Sequence, residues 1–214
     1  KVTHDLNKKN PKYLIDFDLA ENIVIELINF KSNVKNSSNI KSEINLTNNN
    51  IIFKNIKFTE NNNLISIKDL KLNSKKQLTS ISTIEVKTFY KKNLNNDFKI
   101  SFNKKISITG NYYDTTYLLQ HLTSDVTNNP LKNYTKDIEV KLKSLITKSQ
   151  IPLNNFNLIG RINRGKFEKI SSKGEFSKNE YLDITLKKDE NNKKILEIYS
   201  DIPRAILGDY KFFE

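Results

Sequence analysis

Apolar and polar side chains alternate at period two through most of this 214-residue chain. Ile138, Val140 and Leu142 form one such set, and Leu182 and Ile184 begin another. Successive side chains of a β-strand point to opposite faces of its sheet, so this spacing predicts strands with one apolar and one polar face. A chain of such strands must cover its apolar faces with protein or with a ligand.

The alternating segments recur at intervals of about 8–12 residues, which is typical of an antiparallel meander. Polar turns are predicted at Asn48–Asn50, Asn61–Asn63 and Asp189–Asn192. Two segments depart from the pattern and are predicted to be short helices, near 114–123 and near 202–208. We therefore predict an all-β fold, an elongated and curled antiparallel meander that forms an open β-groove, with two short helices.

The capping residues explain why helices are predicted at these two places. Asp114 and Asp201 are good N-caps, because a carboxylate accepts hydrogen bonds from the free N–H groups of a first helical turn. Pro203 is tolerated in a first turn, and Gly208 is a suitable C-terminal stop.

Composition limits the class of protein. The hydrophobic fraction is 36% and the net charge is +12, a combination that also occurs in disordered chains. The regular period argues against disorder. Cys is absent, which excludes a disulfide framework and thiolate metal sites. Met is absent as well, so we expect an internal fragment of a longer protein, with any membrane anchor outside it.

The positive charge raises the question of nucleic-acid binding. Arg is scarce, Lys is spread evenly, and no dense basic run occurs, whereas nucleic-acid binding usually depends on a concentrated basic patch. We therefore expect no nucleic-acid partner, although a basic single-strand binder remains a third hypothesis. Weak attraction to anionic lipid surfaces is an equally good account of the charge.

No group of residues suggests catalysis. His4 and His121 are the only histidines, and neither has ligand-type neighbours at metal-binding spacing. Asp16 and Asp18 share one strand face and could act as paired carboxylates, but a solvated strand face explains them equally well. Gly160–Gly165 lacks the Lys-Ser/Thr of a phosphate-binding loop. We expect no enzyme activity, no metal and no cofactor.

Several motifs in residues 106–214 occur in a familiar order. Ile108-Thr-Gly110 precedes Tyr113–Leu119, and Leu158–Ile162, Gly174–Phe176 and Ser200–Tyr210 follow. This order resembles the AsmA-like proteins of Gram-negative envelopes, in the YhdP-type branch. In that family a strand ending in Gly leads into a short helix opened by an aromatic residue and Asp.

The resemblance implies a location and a role. Members of the family are anchored in the inner membrane by an N-terminal helix, extend through the periplasm as repetitive β-structures, and resemble bridge-like lipid transfer proteins. Residues 106–214 would form the AsmA-like β-groove segment, and residues 1–105 an N-terminal meander of the same groove. The implied function is to bind phospholipid acyl chains and conduct them between the inner and outer membranes.

The residues expected to contact acyl chains are alternating apolar positions of the second half: Ile138, Val140, Leu142, Phe156, Leu158, Leu182, Ile184, Leu186, Leu196 and Ile198. An alternative remains open, in which the same residues form the dry core of a closed structural or adhesive β-module of a bacterial envelope or surface protein. Full coverage of the apolar face by protein would favour that alternative.

Overall fold

The computed structural model describes residues 1–4, 11–33, 36–117 and 135–203. Apart from a single 3₁₀ turn at Glu26–Ile28, the regular structure of these residues is β-strand. The prediction of an all-β chain is confirmed. Within the described residues, no helix has the length and apolarity needed to cross a bilayer.

The chain divides into two compact units. The first unit comprises Lys1–Ile25 and Phe30–Phe102, and the second comprises Glu26–Asn29 and Asn103–Glu214.

The first unit is built from antiparallel strands in the order β1-β2-β5-β6-β7-β9-β10. β8 pairs with β7, and β3 and β4 form a separate two-stranded sheet. The strands are β1 (Val2–His4), β2 (Lys12–Leu19), β3 (Val24–Ile25), β4 (Phe30–Lys31), β5 (Ser38–Thr47), β6 (Asn50–Glu60), β7 (Asn63–Asn73), β8 (Leu78–Ser80), β9 (Thr83–Tyr90) and β10 (Asn93–Phe102).

The predicted alternation gives the first unit one apolar face. A central row of cross-strand partners on this face consists of Phe17, Ile40, Phe58, Ile65, Val86 and Phe98. Phe30 packs edge-on against Phe58 with 5.7 Å between ring centroids, a favourable aromatic geometry. The β3–β4 segment therefore covers part of this face.

A buried polar row borders the apolar face of the first unit. Ser38 pairs with Glu60, Glu60 with Asn63, and Thr88 with Asn96. Glu60 accepts hydrogen bonds from Ser38 Oγ at 3.1 Å and Asn63 Nδ2 at 3.1 Å. Thr88 Oγ1 accepts one from Asn96 Nδ2 at 2.8 Å. Buried polar groups need such partners to offset desolvation.

In the described residues of the second unit, six strands lie in sequence order. The pairs from β12 to β16 are antiparallel, as predicted. The strands are β11 (Ile106–Asp114), β12 (Lys136–Ile146), β13 (Pro152–Asn163), β14 (Lys166–Ser177), β15 (Glu180–Lys188) and β16 (Lys194–Ser200).

The first pair of the second unit departs from the prediction. β11 and β12 are parallel, with Ile106 opposite Ile138 and Asp114 opposite Ile146. The prediction of a purely antiparallel meander is therefore wrong here, and the sheet is mixed. Parallel neighbours run in the same direction, so the chain must travel back along the length of the first strand before it begins the second. A tight turn cannot span that distance. Residues 115–135 supply this connection, and 118–134 lie outside the described residues.

The predicted helix near 114–123 is not seen. Asp114 ends β11, and its Oδ1 accepts a hydrogen bond from Thr116 N at 3.1 Å while its Oδ2 accepts one from Asn29 Nδ2 at 2.9 Å. The carboxylate thus caps a turn at Thr116–Tyr117 rather than a helix. The remainder of this predicted helix, 118–123, lies outside the described residues.

The second predicted helix, near 202–208, is not seen either. Asp201 Oδ2 accepts a hydrogen bond from Tyr181 N at 2.7 Å, and Asp201 Oδ1 accepts one from Tyr199 OH at 2.7 Å. These bonds tie Asp201 back to the start of β15, so its side chain does not cap a helix. Ile202 and Pro203 are not helical, and residues 204–208 lie outside the described part of the chain.

Candidate functional site

The strand register of the second unit places all ten predicted acyl-contact residues on one face, because directly paired residues share a face. Three rows cross the sheet. The first row is Ile138, Gly160, Ile170, Leu186 and Leu196; the second is Val140, Leu158, Ser172, Ile184 and Ile198; the third contains Leu142, Phe156, Gly174, Leu182 and Ser200. We call this surface the apolar strip.

Burial changes systematically along the strip. Leu142 on β12 is 3% exposed and Leu182 on β15 is 5% exposed, whereas Leu196 and Ile198 on β16 are 57% and 45% exposed. Ile184 has intermediate burial. The strip is therefore covered by protein along its third row from β12 to β15 and open to solvent at β16, the last strand of the order.

Three apolar residues of the strip were missed by sequence reasoning. Ile106 and Ile108 join it because β11 runs parallel to β12, opposite Ile138 and Val140. Ile170 joins the first row through Gly160 and Leu186. Period two marks Ile106 and Ile108 as strand residues, but only the pairing shows which strand they adjoin. Ile170 lies in a segment too polar to show clear alternation.

Glycines on β13 and β14 leave room for neighbouring side chains. A Cβ on Gly174 would lie 2.5 Å from Leu153 Cγ, and a Cβ on Gly160 would lie 2.7 Å from the carbonyl oxygen of Lys169. Leu153 is 1% exposed and fills the space that Gly174 leaves. The β13–β14 register shifts between Asn154 and Asn157, as in a β-bulge, which re-aims the side chains beside it.

The opposite face of the second unit is charged and internally compensated. Glu139 forms ion pairs with Lys105 and with Lys141. Hydrogen bonds from these two lysines lower the pKa of Glu139 from 4.5 to about 2. A cleft of about 370 Å³ on this side is lined by Lys105, Glu139, Ile159 and Ser171 among others. The Glu139 carboxylate is held ionised and paired, so it is not poised as a general base.

Asp16 and Asp18 both form contacts between neighbouring strands. Asn39 Nδ2 donates hydrogen bonds to Asp16 Oδ1 at 2.8 Å and to Asp18 Oδ1 at 3.0 Å, and Lys41 Nζ lies 3.1 Å from Asp16 Oδ2. The hydrogen bond from Asn39, followed by that from Lys41, lowers the pKa of Asp16. The two carboxylates thus join β2 to β5.

Metal-binding groups are not assembled in the described part of the chain. No cluster of three or more His, Cys, Asp or Glu residues occurs there. His121, one of the two histidines, lies outside the described residues.

Comparison with known proteins gives no relative. No protein-family model matches the chain, and neither the curated proteins nor the solved structures contain a significant match.

Proposed function

We propose that this chain is a lipid-binding β-sheet protein whose apolar strip holds phospholipid acyl chains. The observation that carries the proposal is the alignment of the ten residues in three rows, with solvent-exposed members on β16. A contiguous apolar surface that remains exposed to solvent is typical of a binding site. The opposite face is charged, so the sheet has one side suited to lipid and one suited to water.

The energetics of acyl-chain burial suit a surface of this kind. Each buried CH₂ group contributes about 0.8 kcal/mol, so a few acyl carbons give useful affinity without a polar anchor. Contacts of this type are non-directional. A chain can therefore move from one row to the next without breaking specific hydrogen bonds, which is the property that a lipid conduit requires.

The resemblance of residues 106–214 to the AsmA-like proteins supports a cellular setting for this proposal. In that setting the chain is a segment of a longer periplasmic protein, anchored to the inner membrane by a region outside the segment. Its strip would form part of an elongated, curled groove that conducts phospholipid between the inner and outer membranes.

A closed structural or adhesive module is the second candidate, and one observation favours it. Val140, Leu142 and Leu182 are each less than 9% exposed, as in a dry core. In this candidate, Leu196 and Ile198 would be covered by a further strand and the strip would hold no lipid.

Native mass spectrometry with lipid extraction separates the two candidates. The chain is purified from a bacterial periplasm, and an Ile184→Asp variant is prepared in parallel. Lipid binding predicts co-purifying phospholipid at reproducible stoichiometry, lost in the variant. A lipid-free chain with a native circular-dichroism spectrum would reject lipid binding and support the closed module.

A further inference from the structure

The two margins of the apolar strip differ in charge. The strand ends and turns beyond the first row comprise residues 103–105, 135–137, 161–169 and 187–195, and contain eleven Lys and Arg against four Asp and Glu. The strand ends beyond the third row comprise residues 111–117, 143–155, 175–181 and 201–203, and contain three basic against four acidic residues. We call the first set the basic margin and the second set the neutral margin.

Two lysines of the basic margin lie on the same face as the strip. Lys136 precedes Ile138 by two residues on β12, and Lys194 precedes Leu196 by two residues on β16. Side chains two residues apart on a strand share a face, so both lysines extend the apolar rows by one position. Lys188 lies directly opposite Lys194 and adds a third ammonium group to this position.

The charges of Lys136 and Lys194 are not neutralised by carboxylates. Lys136 Nζ donates a hydrogen bond to the carbonyl oxygen of Asn103 at 2.6 Å, and Lys194 Nζ donates one to the carbonyl oxygen of Phe167 at 2.6 Å. Within the described residues neither lysine forms an ion pair, whereas Lys188 pairs with Glu168 at 3.7 Å. Each ammonium group has three donors, so it can also bind an anionic oxygen.

The width of the strip places the head group of a bound phospholipid at one of the two margins. From Ile138 to Leu142 the strip is about 13 Å wide, at roughly 3.3 Å per residue. A phospholipid whose acyl chains lie across the strip therefore has its head group at one edge or the other. Within the described residues, the basic margin places two ammonium groups without an ion pair on that face, those of Lys136 and Lys194.

We propose that the basic margin selects anionic amphiphiles, with the acyl chains on the apolar strip and an anionic head group on Lys136 or on Lys194. This inference rests on the proposed lipid-binding function and adds the chemical class of ligand. β12 and β16 lie four strand spacings apart, about 19 Å at roughly 4.8 Å per spacing, so each of the two lysines would bind the anionic oxygens of a separate head group. The charged opposite face would take no part.

A lipid competition measured by native mass spectrometry tests the proposal. The whole chain is loaded from micelles containing equal amounts of phosphatidylglycerol and phosphatidylcholine with identical acyl chains. We expect the wild type to favour phosphatidylglycerol by roughly tenfold, since each nearby lysine attracts anionic lipid measurably. In the Lys136→Gln/Lys194→Gln variant the preference should fall to about twofold or less, while phosphatidylcholine loading is retained.

A charge-matched control removes two lysines from the neutral margin, as Lys148→Gln/Lys178→Gln. This variant has the same net charge as the margin variant and should keep the wild-type preference. An equal loss of preference in both variants would assign the effect to overall charge and overturn the proposal. A wild type that loads both lipids equally would also overturn it.

Further measurements identify the source of the bound anionic group and show whether the chain binds lipid at all. Inorganic phosphate, or glycerol phosphate without acyl chains, should not displace bound phosphatidylglycerol at equimolar concentration; displacement would indicate an anion site without a lipid role. A chain that floats with phosphatidylglycerol vesicles but carries no lipid would be a membrane-surface binder, against the proposal. Loading of neither lipid would reject the proposed function rather than the head-group selectivity alone.

Discussion

Ile184 and Ile198 are direct antiparallel partners on one face of the second unit, yet Ile184 has intermediate burial and Ile198 is 45% exposed. The boundary between covered and open parts of the apolar strip therefore lies between β15 and β16. Because Ile198 is exposed, a substitution there can test ligand contact with little effect on the fold. A substitution at a buried position would change the fold as well.

Ile198→Asp should weaken phospholipid binding. We expect the Kd to rise roughly tenfold or more, because the contact of one Ile side chain with an acyl chain contributes about 1.5–3 kcal/mol. Ile195→Asp provides the matched control, since Ile195 is 38% exposed on the opposite face of the same strand. Equilibrium titration with a fluorescent phospholipid measures both variants. Equal weakening by the two would show that the apolar strip is not the binding surface.

Gly174→Ala should destabilise the second unit by about 1–3 kcal/mol through overpacking. The new methyl group would lie 2.5 Å from Leu153 Cγ, and Leu153 is fully enclosed. Leu153→Ala alone should cost about 2–5 kcal/mol by leaving a cavity. In the double variant each change relieves the other, so urea denaturation should give a loss at least ~1 kcal/mol smaller than the sum of the single losses. Simple additivity would contradict this packing relationship.

Thr88→Val should destabilise the first unit by about 1–3 kcal/mol, because the Asn96 amide loses an acceptor in a buried position. Thr88 and Asn96 are both 0% exposed, and their hydrogen bond is 2.8 Å long. Thr79→Val makes the same chemical change at an exposed threonine that donates to the Lys71 carbonyl. Chemical denaturation should place this control within about 0.5 kcal/mol of the wild type. If both variants lost the same stability, the buried polar row would have no special role.

Alkaline pH should reveal the environment of Tyr113. Burial, with a smaller effect from the Asp114 charge, raises the pKa of Tyr113 from 10.0 to about 12, and its hydroxyl donates a hydrogen bond to the Leu27 carbonyl at 3.2 Å. Above pH 10 the unfolded chain releases this proton first, so the free energy of unfolding falls as pH rises from about 10 to about 12. We expect a fall on the order of 1–2 kcal/mol from this group.

The Tyr113→Phe variant isolates that contribution. Its unfolding free energy should fall less steeply over the same interval, and its ultraviolet titration should lack one late tyrosinate transition. Tyr112→Phe, at a 40% exposed neighbour, serves as the control. A wild-type slope in Tyr113→Phe would show that Tyr113 ionises equally in the folded and unfolded states.

The alternation of apolar residues predicted the strands because it acts locally. Within one strand each side chain faces in or out according to its position alone, so Val140 and Leu142 could be placed on one face of β12, and Leu182 and Ile184 on one face of β15, without knowledge of their neighbours. Antiparallel turns then aligned these residues with Leu158 and Ile198. Ten members of the apolar strip were therefore accessible from the sequence, whereas Ile106, Ile108 and Ile170 were recognised only from the strand pairing.

Features that depend on distant partners were not accessible in this way. Asp114 and Asp201 have the chemistry of helix caps, but Asn29 and Tyr181, far away in the sequence, take part of their hydrogen-bonding capacity. The alternation of apolar residues within β11 likewise does not show whether this strand pairs parallel or antiparallel with its neighbour. The buried polar row was missed because Glu60 is typical of a solvated strand end until its neighbours are known.

The parallel pairing of β11 with β12 has a consequence for the order of folding. The strands from β12 to β16 are joined by short turns, so their contacts close small loops and form early. Ile106 can meet Ile138 only after the long segment between them has closed, at a larger cost in chain entropy. We therefore expect β12–β16 to gain protection from hydrogen exchange first and β11 to be added last.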